Sequence, residues 1–482
     1  MRPAAAALAL LLLGPAVRPG AGHDARMARS IEALLARPEL RRASVGVEVR
    51  RLRDGAVLFA HDPDRYVAPA SSLKLVVSAA ILDALGPDAR IRTSLESSAA
   101  VDAQGSLAGD LFLVGRGDPD LDGRVSGGRA TGVFEELADA LKAAGVRRVE
   151  GRLIGHEGLF QGDRRGVDWG WEDLVWWYGA EVSALSFNDN CADLRVSPGR
   201  RVGDPVSVAI SPATAYFSVT STATTGPPAP KSDLVLERDL SSNAIRLGGS
   251  LGLGSLPEEL NVALVDPARY AATVLAEVLA SRGILVTGGV ATTSDPLPAG
   301  GRVVAFHDSP PLPELLAIMN KPSRNLHAEM LLRLLGATAG GEGSAAAGIE
   351  AELQLIDRLG LDRQDFVLHD ASGLSRLDLV TAHGLAGLLA AMARHPHARA
   401  FRDSLPVAGV DGSLRNRLKG TRAQGRLQAK TGWRRQTSSL AGYATAGGGD
   451  ELAFAVLLGD HTLDSQEAGT LLDRIALAIV GP

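Results

Sequence analysis

Pro69-Ala70-Ser71-Ser72-Leu73-Lys74-Leu75-Val76-Val77-Ser78-Ala79-Ala80-Ile81-Leu82-Asp83-Ala84-Leu85 is the stretch on which the reading of the whole chain turns. Leu73, Val76, Val77, Ala80, Ile81, Ala84 and Leu85 recur at helical spacing, and Gly86-Pro87 ends the helix. Ser71 falls in the first turn and Lys74 lies one turn on, facing the same way, so the amine can reach the hydroxyl. A serine hydroxyl is a weak nucleophile until a base takes its proton, and a neutral lysine can be that base. Arginine could not serve, because its guanidinium stays protonated. The helix start also offers free backbone N–H groups to a developing oxyanion. The blander reading of the pair is an N-cap serine beside a solvated lysine.

Lysine is scarce, which gives its positions weight. Only Lys74, Lys142, Lys231, Lys321, Lys419 and Lys430 stand among 50 cationic residues. Lys430 opens Lys430-Thr431-Gly432 inside a strand-like run from Leu427 to Trp433. On an edge strand, that cation and hydroxyl can bind a substrate carboxylate, and Gly432 lets a substrate backbone come close. The pattern Ser-x-Asn occurs at Ser186, Ser241 and Ser323. Ser323-Arg324-Asn325 is chosen because it sits between two helical segments of the C-terminal part. There Ser323 can relay a proton between Lys74 and a leaving amine, and Asn325 can orient a substrate amide.

The elements outside these motifs predict an α+β fold. Arg26 to Arg37 reads as a helix, and Ala43 to Leu52 with Ala56 to Ala60 reads as a hairpin split at Asp54-Gly55. After Pro310 come helices over Leu312 to Met319, Leu326 to Leu335 and Gly348 to Leu359. Strand-like runs then follow at Leu427 to Trp433, Ser439 to Thr445 and Leu452 to Leu458, with a last helix from Ser465 to Val480. Hairpin and C-terminal strands together make one antiparallel sheet flanked by helices. The intervening part is β-rich, with helices at Val133 to Ala144 and Pro267 to Arg282. The expected division is therefore 26–90 and 300–482 as one catalytic domain, with 91–299 inserted.

Composition narrows the classes. With 482 residues, 45% of them hydrophobic and 22% charged, the chain can build several cores and is not a disordered protein. A net charge of -5 with mixed signs argues against a nucleic-acid binder. The single cysteine, Cys191, excludes an internal disulfide and a cysteine metal cluster. Arg2, the apolar run Ala4 to Leu13, Gly14-Pro15 and small residues to Gly22 have the three regions of a secretory signal over residues 1–22. That run is shorter than the roughly 18 residues of a membrane span, so at most peripheral membrane association is expected. Export to the periplasm or the cell-wall space follows.

In chain order, Ser71-x-x-Lys74, Ser323-x-Asn325 and Lys430-Thr431-Gly432 resemble the signature of the penicillin-recognising serine acyltransferases. More closely, the chain is similar to the D-alanyl-D-alanine carboxypeptidase/endopeptidases of the class C, low-molecular-mass penicillin-binding proteins. The likeness extends through Ala70 to Ala80, Gly109 to Leu121, Tyr178 to Asn190, Asp370 to Arg376, Asp411 to Leu414 and Lys430 to Tyr443. It implies a penicillin-binding-protein/β-lactamase-like transpeptidase domain with a large insertion between the first two motifs. It implies Ser71 as acylated nucleophile, Lys74 as general base and Ser323 as proton relay. Asn325 would contact the substrate amide, and Lys430 and Thr431 would hold the terminal carboxylate beside Gly432. The backbone N–H groups of Ser71 and Trp433 would form the oxyanion hole. Peptidoglycan stem peptides would be substrates, β-lactams inhibitors, and no metal or organic cofactor would be needed. Arg324 departs from the small or acidic residue frequent there, and Ala371 from a frequent Gly. For Lys74 to act near neutral pH its pKa must fall, and burial and a nearby Lys430 ammonium both push that way.

Competing readings are fewer. Gly248-Gly249-Ser250-Leu251-Gly252 matches a hydrolase nucleophile elbow, which requires a strand before it and a helix after. The Ser71 scaffold also serves β-lactamases and esterases, and a silent wall-binding protein could keep the fold. His156-Glu157 lacks the second histidine of a zinc peptidase. Trp169, Trp171, Trp176, Trp177 and Tyr178 read as packing or as a glycan-stacking surface.

Overall fold

The computed structural model describes residues 21–229 and 231–481. The export signal expected over 1–22 lies outside the described residues except for its last two positions, where helix α1 (Ala21–Leu35) begins. The hairpin β1 (Ser44–Arg51) and β2 (Val57–His61) follows, then a 3-10 turn, Ala70–Leu73, that runs into α2 (Lys74–Leu85). The inserted part supplies β3 (Arg92–Ser97), β4 (Leu111–Val114), α3 (Gly132–Ala143), β5 (Leu153–His156), α4 (Pro267–Ser281), β6 (Val290–Thr293) and β7 (Arg302–Asp308). Helices α5 (Leu312–Asn320), α6 (Asn325–Thr338), α7 (Ala345–Arg358), α8 (Ala382–Met392) and α9 (Ala398–Asp403) come next. The chain ends in β8 (Leu427–Arg434), β9 (Thr437–Thr445), β10 (Glu451–Gly459) and α10 (Ser465–Val480).

The first and last strands share one antiparallel sheet in the order β2-β1-β10-β9-β8. Ala453, Ala455 and Leu457 of β10 join the core built by α2, α5, α6, α7 and α8. The alternate residues Leu452, Phe454, Val456 and Leu458 join the core of α1 and α10. Both faces are covered, so the strand reads as one continuous apolar run rather than as alternation. β8 is left at the sheet edge, beside the turn that carries Ser71.

Helix α8 was not among the helices expected from sequence. Except for exposed His383 and half-buried Ala391 it is buried, so it lacks the one-sided apolar stripe that marks a surface helix. The insertion has a second sheet, ordered β6-β5-β4-β3-β7, and its own core. Its end needs correction from 299, because β7 pairs antiparallel with β3 and the chain leaves this sheet only after Asp308. The hydrolase elbow fails as well: Ser250 begins the short strand Ser250–Gly252, and no helix follows it. Among the described residues no helix is long and apolar enough to cross a membrane.

Close approach between β8 and β9 gives a stability test. A Cβ at Gly442 would lie 2.2 Å from the carbonyl oxygen of Gln428 and 2.5 Å from the Cα of Ala429, both backbone atoms of β8. Gly442→Ala is expected to cost about 1–3 kcal/mol by forcing the strands apart. Gly448→Ala, which meets nothing within 4 Å, is the control. Equal thermal midpoints for the two variants would refute the tight contact.

Candidate active site

Three separate segments converge on the edge of β8. Ser71 lies in the 3-10 turn and Lys74 is the first residue of α2, so local helical geometry alone brings the two together. Lys74 Nζ is 2.8 Å from Ser71 Oγ, 2.8 Å from Asn325 Oδ1 and 2.7 Å from the carbonyl oxygen of Ser372. Asn325 is the first residue of α6, and its Nδ2 donates to the Tyr178 carbonyl at 2.9 Å. Lys430 Nζ, from β8, donates to Ser323 Oγ and to the Thr431 carbonyl, each at 2.8 Å. Both lysine side chains are fully buried.

The turn is fastened to the sheet. Ser439 of β9 donates to the Pro69 carbonyl at 2.6 Å and shares a 2.7 Å hydrogen bond with Ser72. Gly432 permits this closeness, since a Cβ there would fall 2.6 Å from the Pro69 oxygen and 3.1 Å from the Ser71 nitrogen. Trp433 follows it with an exposed indole. Thr431 Oγ1 lies 2.7 Å from Ser413 Oγ. Ser71, Asn325, Thr431 and Trp433 open on one cleft of about 530 Å³, which Trp177 and Tyr178 of the inserted part also line.

Every residue expected at the site is therefore in or beside this cleft. One detail differs: Ser323 is hydrogen-bonded to Lys430, and no hydrogen bond joins it to Lys74. The other Ser-x-Asn copies lie elsewhere, with Ser186 and Asn188 buried in the insertion and Ser241 in a turn before the strand Ala244–Gly248. Sequence reasoning missed the Ser372 and Tyr178 carbonyls, since a backbone acceptor leaves no mark on residue type. Ser413 was visible only as part of the segment Asp411 to Leu414.

Burial sets the electrostatics. It drives Lys74 down to about 7, against the opposing pull of Asp370 and Glu329. Burial first and the Lys74 charge second hold Lys430 well below the usual lysine range, and the two lysines disfavour each other's charge. Glu329 is pushed up by burial and by Asp370.

The carboxylates behind Lys74 shape the turn Asp370 to Arg376. Glu329 Oε1 accepts from the N–H groups of Ala371 at 3.0 Å and Ser372 at 2.9 Å. Asp370 accepts from Gly373 N at 2.7 Å, Ser375 N at 2.8 Å and Trp169 Nε1 at 2.9 Å. Together they aim the Ser372 carbonyl at Lys74. That carbonyl and Asn325 Oδ1 can only accept, so they take the two N–H bonds of a neutral amine and leave its lone pair facing Ser71 Oγ. Such an arrangement can deprotonate the hydroxyl.

A serine–lysine pair at the edge of an antiparallel sheet flanked by helices defines a penicillin-binding-protein-like fold. The D-Ala-D-Ala carboxypeptidase 3 (S13) family matches residues 27–478, and the chain belongs to that family. It is 35% identical over 470 residues to the D-alanyl-D-alanine carboxypeptidase of Actinomadura sp. (strain R39), covering 94% of this chain and 85% of the relative. The crystal structure of penicillin binding protein 4 (dacB) from Haemophilus influenzae superimposes with a TM-score of 0.80 at 25% identity, covering 92% of this chain and 97% of the other. A complex of that protein with a β-lactam aligns at 0.75 and 23% over the same shares.

Removing the Asp370 carboxylate leaves buried donors of the turn and of Trp169 unpaired. Asp370→Ala is expected to cost about 2–3 kcal/mol in urea unfolding. A loss below about 0.5 kcal/mol would mean that the turn is held by other contacts.

Proposed function

We propose that the protein is an exported serine-type D-alanyl-D-alanine carboxypeptidase that also acts as a D,D-endopeptidase on peptidoglycan stem peptides. The observation that carries this reading is the environment of Lys74. A fully buried amine with two acceptor-only partners and Ser71 Oγ at 2.8 Å suits a general base. The names of the relatives support the substrate class. Export rests on the sequence of residues 1–22, and the working compartment is the periplasm or the cell-wall space.

The reaction follows from these parts. Ser71 Oγ attacks the carbonyl carbon between the two D-alanines while Lys74 takes its proton. The tetrahedral oxyanion is met by the N–H groups of Ser71 and Trp433, across the close approach that Gly432 allows. As the C–N bond breaks, the proton that Lys74 took from Ser71 is returned to the leaving amine with Ser323 as relay, its hydroxyl held by Lys430, and Lys74 is neutral again. Asn325 steadies the substrate amide. Water, its proton taken by Lys74, then attacks the ester carbonyl, and Lys74 returns that proton to Ser71 Oγ as the ester bond breaks. Lys430 and Thr431 hold the terminal carboxylate, which supplies the counter-charge that buried Lys430 lacks. β-Lactams enter the same path and stall as esters of Ser71.

Incubation with a β-lactam followed by peptide mass spectrometry tests the reading. The adduct is expected on the peptide containing Ser71, and Ser71→Ala abolishes it. Rapid turnover of the drug would favour a β-lactamase, and no adduct at all a silent binding protein. The acylation rate should rise about tenfold per pH unit below about 7 and level off above, because Lys74 works as the neutral amine. Lys74→Arg should flatten this profile and slow acylation by about 100- to 10,000-fold. A wild-type rate that falls as pH rises through 7 would exclude Lys74 as the base.

A further inference from the structure

The N-terminal end of α6 carries two side chains of the cleft, yet much of what holds it comes from the inserted part. Asn325 Nδ2 donates to the Tyr178 carbonyl, and His327 Nε2 lies 2.9 Å from Asp120 Oδ1. Between Ser323 and Asn325, Arg324 Nη1 donates to Asp189 Oδ2 at 2.5 Å. Its guanidinium also sits 5.4 Å from the centre of the Trp177 ring. Arg124, from the same inserted unit as Asp189, grips both carboxylate oxygens at 2.8 and 2.9 Å.

The backbone around Asp189 is unusual. Asn188, Asp189 and Asn190 are consecutive left-handed residues with φ of 50°, 52° and 56°. Such a run is costly and persists where its surroundings over-determine it. The surroundings are on hand: Asn190 Oδ1 accepts from Phe187 N at 3.1 Å, and Asn188 Nδ2 donates to the Cys191 carbonyl at 3.0 Å. The turn therefore delivers the Asp189 carboxylate to a fixed point. Ser323 is left-handed too, with φ of 67°. Burial alone would push Asp189 up, but Arg124 and Arg324 outweigh it and hold the carboxyl at about 2, so the charge that grips Arg324 is present at any pH where the protein works.

We propose that Asp189 is a positioning residue: clamped between Arg124 and Arg324, it sets the segment Ser323 to Asn325 so that Asn325 reaches Lys74 and Ser323 reaches Lys430. This rests on the function proposed above, and it gives the inserted unit a direct part in the reaction. Arg324 is then the link between the inserted unit and the segment Ser323 to Asn325.

The test measures acylation of the full chain by a fluorescent penicillin across pH. Asp189→Ala is expected to slow acylation about 100-fold, the scale of a misplaced reacting group. Its acid limb should also move to lower pH, because the Lys74 ammonium loses the Asn325 acceptor. A purely structural role would leave that limb where it is. Asp189→Asn keeps the left-handed preference and an acceptor for Arg324 and should recover part of the rate. Arg324→Ala should match Asp189→Ala, and the double variant should fall no further. If Asp189→Ala does not fold, Asp189→Asn and Arg324→Ala carry the test. Folded variants with the wild-type rate and acid limb, or strictly additive losses, would overturn the proposal. Absence of acylation at Ser71 in the wild type would instead strike the function it rests on.

Discussion

Taking Lys74 out of water is the step on which the cleft is built. A lysine in solvent is protonated at neutral pH and useless as a base. Lowering it requires burial, and a buried amine needs partners that do not restore its charge too far. Two neutral carbonyl oxygens, Asn325 Oδ1 and Ser372 O, satisfy its N–H bonds, while the anionic Asp370 and Glu329 act from behind rather than in contact. Had either carboxylate been hydrogen-bonded directly to Nζ, the ammonium would be favoured. Instead they are spent on backbone N–H groups of the turn that presents Ser372.

That constraint explains the sheet as well. The turn bearing Ser71 must be rigid, and it is pinned to β9 through Ser439 and crowded against β8 at Gly432. β8 in turn needs β9 close behind it, which the bare Cα of Gly442 allows. Helices on both faces keep the strands dry, so the edge of β8 can hold Lys430 without solvent.

How far the sequence foretold this depends on range. Ser71 and Lys74 were legible because one helical turn fixes their geometry, and Lys430 because a rare lysine stood in a strand-like run. That the N-terminal hairpin and the C-terminal strands share one antiparallel sheet was also legible, but the order of the strands within it was not. Helix α8 was hidden by burial on every side, and β7 by its place just past the expected boundary. The carbonyls of Ser372 and Tyr178 could not be foreseen, because their position depends on turns built by distant side chains. Arg324 was noticed as a departure, but its partner Asp189 lies in a different part of the chain and in an unusual backbone conformation.

The two lysines divide the proposed work by what surrounds them. Lys74 owes its lowered pKa chiefly to burial, so it can act as a base even where Lys430 is neutral. Among the described residues Lys430 has no acidic partner, and both burial and Lys74 disfavour its charge. A carboxylate arriving beside it reverses that balance, since a paired ammonium is far less costly than a lone one. Binding a free C-terminus therefore stabilises the cation that recognises it, and a neutral ligand of similar shape gains nothing comparable. On the proposed function, selectivity for a terminal carboxylate follows from the gain that buried Lys430 makes on pairing, while Lys74 serves as base at its own site.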